Sequence, residues 1–387
     1  MNFDLSDDQR ELQEAVRAFA EAEIRPLAEQ MDRSDEFPMQ LWQQMGEMGL
    51  LSMGVPEKYG GSEGDLWGII LAGEEIAAAS SSVALSMGAH ANLCVYNLFR
   101  NGSEAQKNKY LPDLCSGEKV GCLGITEPDT GSDAVGMKTT ARRDGEHYVL
   151  NGAKTWITNA PIADVFIVYA KTKPEAGARG ISAFIVERGF EGLTTSQTFH
   201  KMGNRGSPTG QIFFENCRVP AENLMGVENM GIAIVMGGLD IERTVFSSLA
   251  LGQARRAMEL AVRYAQERTQ FGKPIARFQL IQAKIADMYT QLEAARLMVY
   301  RSVDELSRMT RGGKGTEIHK RSAAALMFAA EAAEKIAYDA VQIHGGNGYS
   351  DEYEVSRIYR DVRLGTIGAG TSEIRRLIIA REILGLG

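Results

Sequence analysis

The chain has 387 residues, 44% of them hydrophobic and 24% charged, with a formal net charge of −8, which is the make-up of a globular protein large enough for more than one domain. The acidic balance argues against a nucleic-acid surface, no apolar run reaches the ~18 residues of a membrane span, and the opening MNFDLSDDQRELQ lacks the apolar core of a secretory signal. Four scattered cysteines (Cys94, Cys115, Cys122, Cys217) form no C-x-x-C, and no H-E-x-x-H, phosphate loop or G-x-G-x-x-G occurs, so no disulfide framework, no metal site and none of the common nucleotide folds is expected, and a reducing compartment is.

Residues 1–115 read as helices. Ser6 and Gln9 form an S-x-x-Q capping box ahead of LQEAVRAFAEAEIRPLAEQM, whose apolar residues recur every three or four positions. The turn-rich GVPEKYGGSEGD breaks this pattern, and helical spacing resumes at LWGIILAGEEIAAASSSVALSMGAHANLCVYNLF. Residues 116–225 have a β texture. HYVLNGAKTWITN holds two β-rich runs about Asn151-Gly152, a hairpin signal, and DVFIVYAKT, GISAFIVE and QIFFENCRV are short strand-like runs between breaks. From 226 to 387 the helical period returns, and the Ala- and Met-dense RSAAALMFAAEAAEKIAYDAVQI suits close packing in a bundle. The expected fold is α+β in three domains: helical (1–115), β (116–225) and helical bundle (226–387).

Several stretches can carry chemistry. GITEPDTGSDAVGMK (124–138) clusters Gly, Ser, Thr and Asp where the texture changes; it either aims N–H and hydroxyl groups at a ligand or merely connects. In TWITN (155–159) Trp156 can stack on a planar ring beside a hydroxyl, although a lone strand Trp is more often core. In ERTQFGKPIARFQ (267–279) a helix ends near Arg268, which can clamp a phosphate, and Gly272 and Pro274 make a turn. In QIHGGNGYSDEYEVSRIYRD (342–361) the glycines allow close backbone approach, and His344 invites a catalytic role that a packed helix-end histidine would equally explain. In RLGTIGAGTSEIRRLIIARE (363–382) IGAG leads into a well-capped helix start, a ready site for an anion or a carbonyl oxygen.

Acidic residues crowd the first turns of the helix in MGGLDIERTVFSSLALGQARRAMELAVRYA (236–265). Leu239, Glu242, Phe246 and Leu249 recur every three or four positions, so Glu242 falls on the apolar stripe, while Asp240 and Arg243 can pair or bind a ligand beside it. Glu242 is thus either a solvated acid favoured by the helix dipole or a placed reagent.

TEP-x-x-GSD, WITN, R-x-x-FGK, Q-x-x-GG-x-GY and GTSE, in this order along the whole chain, resemble the acyl-CoA dehydrogenase family. Thr130 departs from the pattern, standing where Ala or another small residue is usual, which can shift its loop slightly. The resemblance implies a helical domain, a middle β-barrel or sandwich and a C-terminal four-helix bundle. It also implies non-covalently bound FAD, oxidation of an acyl-CoA to the trans-2-enoyl-CoA, a homotetramer, and electron-transfer flavoprotein as acceptor. By resemblance, Leu123, Ile125, Thr126 and Ser132, with Trp156 and Thr158, line the isoalloxazine. Arg268, Gln270, Phe271 and Gln279, with Gln342, His344, Gly345 and Gly346, hold pyrophosphate and adenosine, partly from a neighbouring subunit. Thr371 and Glu373 complete the FAD site, and Ser132, Asp240, Arg243, Ala369 and Gly370 meet substrate.

Most family members carry the catalytic base as a Glu directly before the GT of the last motif. This chain has Ala369 there. A subset that includes the isovaleryl-CoA dehydrogenases keeps a small residue at that place and puts the Glu in GLD-x-ER, so the resemblance gives α-proton abstraction to Glu242 while a hydride passes from the β carbon to flavin N5. Gly368, Ala369 and Gly370 then leave room for a methyl branch, and a short 3-methyl-branched substrate such as isovaleryl-CoA is expected. Citronellyl-type and straight medium- or long-chain substrates are the alternatives, because HKMGNRGSPTGQIFF departs from the isovaleryl wording; a non-catalytic flavoprotein of the same fold, with Ala369 marking lost activity, and an acyl-CoA oxidase are the alternatives of function. The implied setting is leucine catabolism or fatty-acid metabolism, in bacterial cytoplasm or a mitochondrial matrix.

Overall fold

The computed structural model describes residues 5–310 and 317–386. The N-terminal part is built from α1 (Asp7–Phe19), α2 (Ala28–Ser34), α3 (Met39–Glu47), α4 (Leu66–Ala79), α5 (Ser81–Gly88), α6 (Asn97–Asn101) and α7 (Glu104–Ser116). The Ser6–Gln9 capping box forms as its spacing predicts: Gln9 N–H donates to Ser6 Oγ at 3.2 Å and Ser6 N–H to Gln9 Oε1 at 3.0 Å. Helices α1 and α4 to α7 bury apolar side chains against one another and against the sheet that follows.

Eight strands make one mixed sheet: β1 (Gly121–Gly124), β2 (Thr140–Asp144), β3 (His147–Thr158), β4 (Val165–Lys171), β5 (Ile181–Glu187), β6 (Leu193–Thr195), β7 (Thr209–Pro220) and β8 (Leu224–Met225). Their order is β6-β7-β3-β2-β4-β5-β8, with β1 parallel to β4. The Asn151-Gly152 hairpin expected from the sequence does not form. Strand β3 runs straight through it with a register shift between Leu150 and Gly152, and the turn lies at Gly145-Glu146, because Asp144 faces His147. Asn151 does not take the positive φ that a type I′ turn needs. Gly152 is there for closeness, since a Cβ on it would stand 2.5 Å from Thr139 Oγ1.

Helix α8 (Gly231–Glu267), the hairpin strands β9 (Thr269–Gln270) and β10 (Lys273–Pro274), α9 (Gln279–Thr310), α10 (Ile318–His344), α11 (Glu354–Val362) and α12 (Ser372–Leu384) complete the chain. Helices α8, α9, α10 and α12 form the bundle, and α8 also packs on α4. Gly252 permits that approach, because a Cβ there would stand 2.3 Å from the Glu74 carbonyl oxygen. The buried Glu74 and Glu75 are neutralised by Arg17, Arg255 and Arg296, which bolts α1, α8 and α9 to α4.

His90 ties the first helices to the sheet. Its Nδ1 accepts from Gly121 N–H at 2.8 Å, which leaves Nε2 to donate to the Leu114 carbonyl at 2.9 Å. Burial holds its pKa down at about 4. The folded value lies below the unfolded one near 6.5, so the unfolded chain takes up the proton first. Stability is therefore complete above about pH 6.5 and falls as pH drops toward 4, by up to roughly 3 kcal/mol. Urea unfolding at pH 7.5 and 4.5 should show a smaller loss for His90→Gln than for the wild type; equal losses would refute this account.

Candidate active site

Helix α8 begins at Gly231 and continues through Gly237 and Gly238, so Glu242 lies about three turns along it and is not a first-turn acid, contrary to the crowded helix start expected from GLDIER. Gly237 and Gly238 border open space. Glu242 keeps part of its surface accessible. Burial nevertheless pushes its pKa up to about 6, against the opposing charges of Arg243 and Arg375. Strand β4 faces it through Tyr169, whose phenol is raised by burial and by the charge of Glu242 and accepts a hydrogen bond from Asn97 at 3.1 Å.

Asp240 and Arg243 pair at 3.1 Å and are both buried. Asp240 also accepts from Ser322 Oγ at 2.9 Å and pairs with His319 Nδ1 at 2.5 Å. Both partners lie on α10, and neither is legible from sequence: His319 belongs to no motif, and its pairing with Asp240 spans almost eighty residues.

The turn before α12 comes alongside. A Cβ on Gly368 would stand 3.5 Å from Phe246 Cζ, one helical turn beyond Glu242. Ala369 (φ 52) and Gly370 (φ 86) are left-handed. The fully buried Arg375 donates to the carbonyls of Gly365 at 2.9 Å and Gly368 at 2.6 Å. Thr371 caps α12 by accepting from Ile374 N–H, and Glu373 is exposed beside it.

A second wall is built by β1, β3 and the 124–138 loop. Thr155 N–H donates to the Thr126 carbonyl at 2.9 Å. Lys154, fully buried on β3, reaches Glu127 Oε1 at 2.7 Å and the Ile125 carbonyl at 3.2 Å, and Glu127 also accepts from the N–H groups of Lys138 and Thr139. Burial pushes the Lys154 ammonium down to about 8. Burial would raise Glu127, but Lys154 and these donors outweigh it and hold the carboxyl below its usual range. Leu123, Ile125, Thr126 and Thr158 are partly exposed along this wall, and Ser132 is exposed. A register shift between Lys154 and Ile157 throws Trp156 (φ 59) out of the sheet, leaving it 64% exposed with Phe199 edge-on at 5.0 Å. The core alternative for this Trp is thereby overturned. A broad ring face beside backbone polar groups and a threonine fits a planar, hydrogen-bonding heterocycle.

The remaining predicted residues assemble elsewhere. Arg268 ends α8, and the β9–β10 hairpin turns at Phe271-Gly272 with both φ positive, leaving Phe271 91% exposed. Gln270, Gln279, Gln342, Gly345 and Gly346 are also exposed. Tyr264 joins these segments: Arg268 N–H donates to its carbonyl at 2.8 Å and Asn347 to its hydroxyl at 3.0 Å. His344 stacks on Tyr264 at 4.2 Å, is bonded through Nδ1 to Ala340 O at 2.8 Å and is buried, the packing of a helix-end residue rather than of a reagent. Neither α9 nor α10 packs substantially on β1 or β3, so within one chain this group stands apart from the Trp156 wall.

Three family models match in succession: the acyl-CoA dehydrogenase N-terminal domain at residues 6–118, the middle domain at 122–217 and the C-terminal domain at 229–384. A mitochondrial isovaleryl-CoA dehydrogenase of Pongo abelii is 46% identical over 97% of this chain and 89% of its own length. A mitochondrial 2-methylacyl-CoA dehydrogenase of Solanum tuberosum is 45% identical over 98% and 91%. The solved butyryl-CoA dehydrogenase of Megasphaera elsdenii superposes with a TM-score of 0.94 at 38% identity, covering 99% of this chain and 100% of that one.

Proposed function

The chain belongs to the acyl-CoA dehydrogenase family of FAD-dependent oxidoreductases, and on that premise we propose that it oxidises a short methyl-branched acyl-CoA, isovaleryl-CoA first among them, with Glu242 as the base. The observation that carries this reading is the enclosed carboxyl of Glu242, with its pKa near 6, on the helix that the Gly368–Ala369–Gly370 turn packs beside.

Each part of the site has a task in that reaction. At pH 7 to 8 Glu242 is mostly ionised, yet its poor solvation keeps it a stronger base than a surface carboxylate. The thioester acidifies the α C–H, and Glu242 takes that proton. The left-handed turn at Ala369 and Gly370 offers backbone N–H donors for the thioester oxygen, where negative charge develops. Leu123, Ile125, Thr126, Trp156 and Thr158 would hold the isoalloxazine, with Ser132 at the loop edge and Thr371 and Glu373 at the other side. When bound, FAD supplies the oxidant by accepting the β-hydride. Asp240 and Arg243 line the substrate entrance.

Arg268, Gln270, Phe271, Gln279, Gln342, Gly345 and Gly346 would grip the pyrophosphate and adenosine of FAD bound in a neighbouring copy, and the exposed apolar Leu280, Tyr289 and Leu297 on α9 support such an assembly, a homotetramer. Electron-transfer flavoprotein is the proposed acceptor.

Relatives named for isovaleryl and for 2-methylacyl substrates are about equally similar, so the acyl group that meets Ala369 is decided by a substrate panel. Anaerobic mixing of the FAD-loaded protein with butyryl-, isovaleryl-, 2-methylbutyryl-, octanoyl- and citronellyl-CoA tests it. Isovaleryl-CoA is expected to bleach the flavin fastest. Faster bleaching by octanoyl- or citronellyl-CoA would move the assignment to longer chains, and no bleaching by any would establish a non-catalytic flavoprotein.

A further inference from the structure

We propose that Phe246 is the specificity-determining residue of the acyl site: its ring ends the space that the acyl chain fills and shuts off a polar cavity behind it. The inference rests on the reading of Glu242 as the base. Gly238, Glu242, Phe246 and Ala250 are four residues apart on α8, so they follow one another along one face of the helix, about 6 Å from each to the next. A Cβ on Gly238 would meet nothing within 4 Å, so the face borders open space at that end. It continues past the carboxyl of Glu242 to the Phe246 ring. There the Gly368 turn lies against it, since a Cβ on Gly368 would stand 3.5 Å both from Phe246 Cζ and from Leu364 Cδ1.

The two ends set the direction of the substrate. CoA is large and charged and needs the open end beside Gly238, so the acyl tail runs the other way, toward Phe246. One helical turn between base and ring holds a short acyl group, whereas a fatty chain would have to displace the ring.

Beyond the ring the same face runs into a small cavity, which Phe246 and Ala250 border together with Ser81, Asn204, Gln253 and Asp361. Gln253 Nε2 donates to Ser81 Oγ at 2.6 Å, and Ser81 Oγ donates to Asn204 Oδ1 at 2.6 Å. Asn204 in turn donates through its backbone N–H to Asp361 Oδ1 at 2.5 Å and through Nδ2 to the Asp361 carbonyl at 3.0 Å. All four polar residues are buried. One hydroxyl, two amides and a carboxyl hold more donors and acceptors than these bonds use, so the cavity takes water or a hydroxyl group and disfavours a methyl end. Asn204 belongs to HKMGNRGSPTGQIFF, the stretch that departs from the isovaleryl wording. That departure therefore changes what lies behind the ring, and a short acyl group never meets it.

The test compares the FAD-loaded wild type with Phe246→Ala and Phe246→Leu. Two quantities are measured: the rate of anaerobic flavin reduction by isovaleryl- and hexanoyl-CoA, and the Kd of the corresponding enoyl thioesters, which bind without being oxidised. In Phe246→Ala the preference for hexanoyl over isovaleryl is expected to rise about tenfold in both. Phe246→Leu, which keeps part of the bulk, should move the same way by less, and it reads the shift if the Ala variant does not fold. A hexanoyl thioester with a terminal hydroxyl should gain more than hexanoyl itself when the ring is removed, because only then does the chain end reach Asn204 and Asp361. An unchanged preference in a folded variant would overturn the role of Phe246, and a terminal hydroxyl that brings no gain would overturn that of the cavity. If the wild type already prefers hexanoyl-CoA, or Glu242→Gln still reduces its flavin, the substrate or base reading fails instead, and the enoyl Kd values still decide whether Phe246 ends the pocket.

Discussion

Glu242→Gln is expected to fold, bind FAD and stay yellow, yet to be reduced by its acyl-CoA between about 10² and 10⁴ times more slowly than the wild type, the range a positioned general base supplies. Gln has the shape of Glu, so packing beside Arg243 and Arg375 is kept and only the proton acceptor is lost. Stopped-flow reduction measures this, and turnover within a few-fold of wild type would show that the base is elsewhere. The substitution also has a stability consequence of opposite sign. Glu242 titrates near 6 in the fold, above the ordinary carboxyl value. The folded state therefore favours the protonated acid, and stability is lost as pH rises from about 4.5 through 6, by up to roughly 2 kcal/mol at pH 8. Glu242→Gln removes that loss, so the inactive variant should unfold at higher urea concentration than the wild type at pH 8 and at the same concentration at pH 4.5. A destabilising acid kept on this helix accords with the proposed role of Glu242 as the base.

Glu242 was legible as an acid on the apolar stripe of a helix because that signal is local. Leu239, Glu242, Phe246 and Leu249 repeat at helical spacing, and Ala369 marks a missing acid within a short motif. The helix start was misplaced because Gly237 and Gly238 look like breakers, whereas packing of α8 against α4, α9 and α10 carries the helix back to Gly231. Asn151-Gly152 misled for a related reason: the pair that closes a two-residue turn also serves where a strand must pass close to Thr139, and only the partner strand decides between them. Trp156 shows the limit of propensity, since an aromatic on a strand reads as core until a bulge turns it outward. His319 and Lys154 went unremarked because each acquires its meaning from a partner far along the chain, and no periodicity reports a hydrogen bond between Lys154 and Glu127 across twenty-seven residues.

That last pair carries a large stability effect. Lys154→Met should destabilise the protein by about 3–5 kcal/mol, because it leaves the Glu127 carboxylate buried without its cation. The reasoning is specific to the removal of one partner. Glu127 would still receive the N–H groups of Lys138 and Thr139, but two dipoles do not replace a buried ammonium at 2.7 Å. The carboxyl would have to take up a proton, so the deficit of the variant relative to the wild type should shrink as pH falls. Because Lys154 also reaches the Ile125 carbonyl and stands two residues before Trp156 on β3, the loss falls on the wall assigned to the flavin ring, and FAD should dissociate at lower urea than is needed for global unfolding. Glu127→Gln combined with Lys154→Met removes both charges and should recover more than half of the stability lost in the single variant. Urea unfolding followed in parallel by flavin fluorescence and circular dichroism measures all three. A single variant within 1 kcal/mol of wild type, or a double variant no more stable than the single, would mean that the Lys154–Glu127 pair does not hold this wall together.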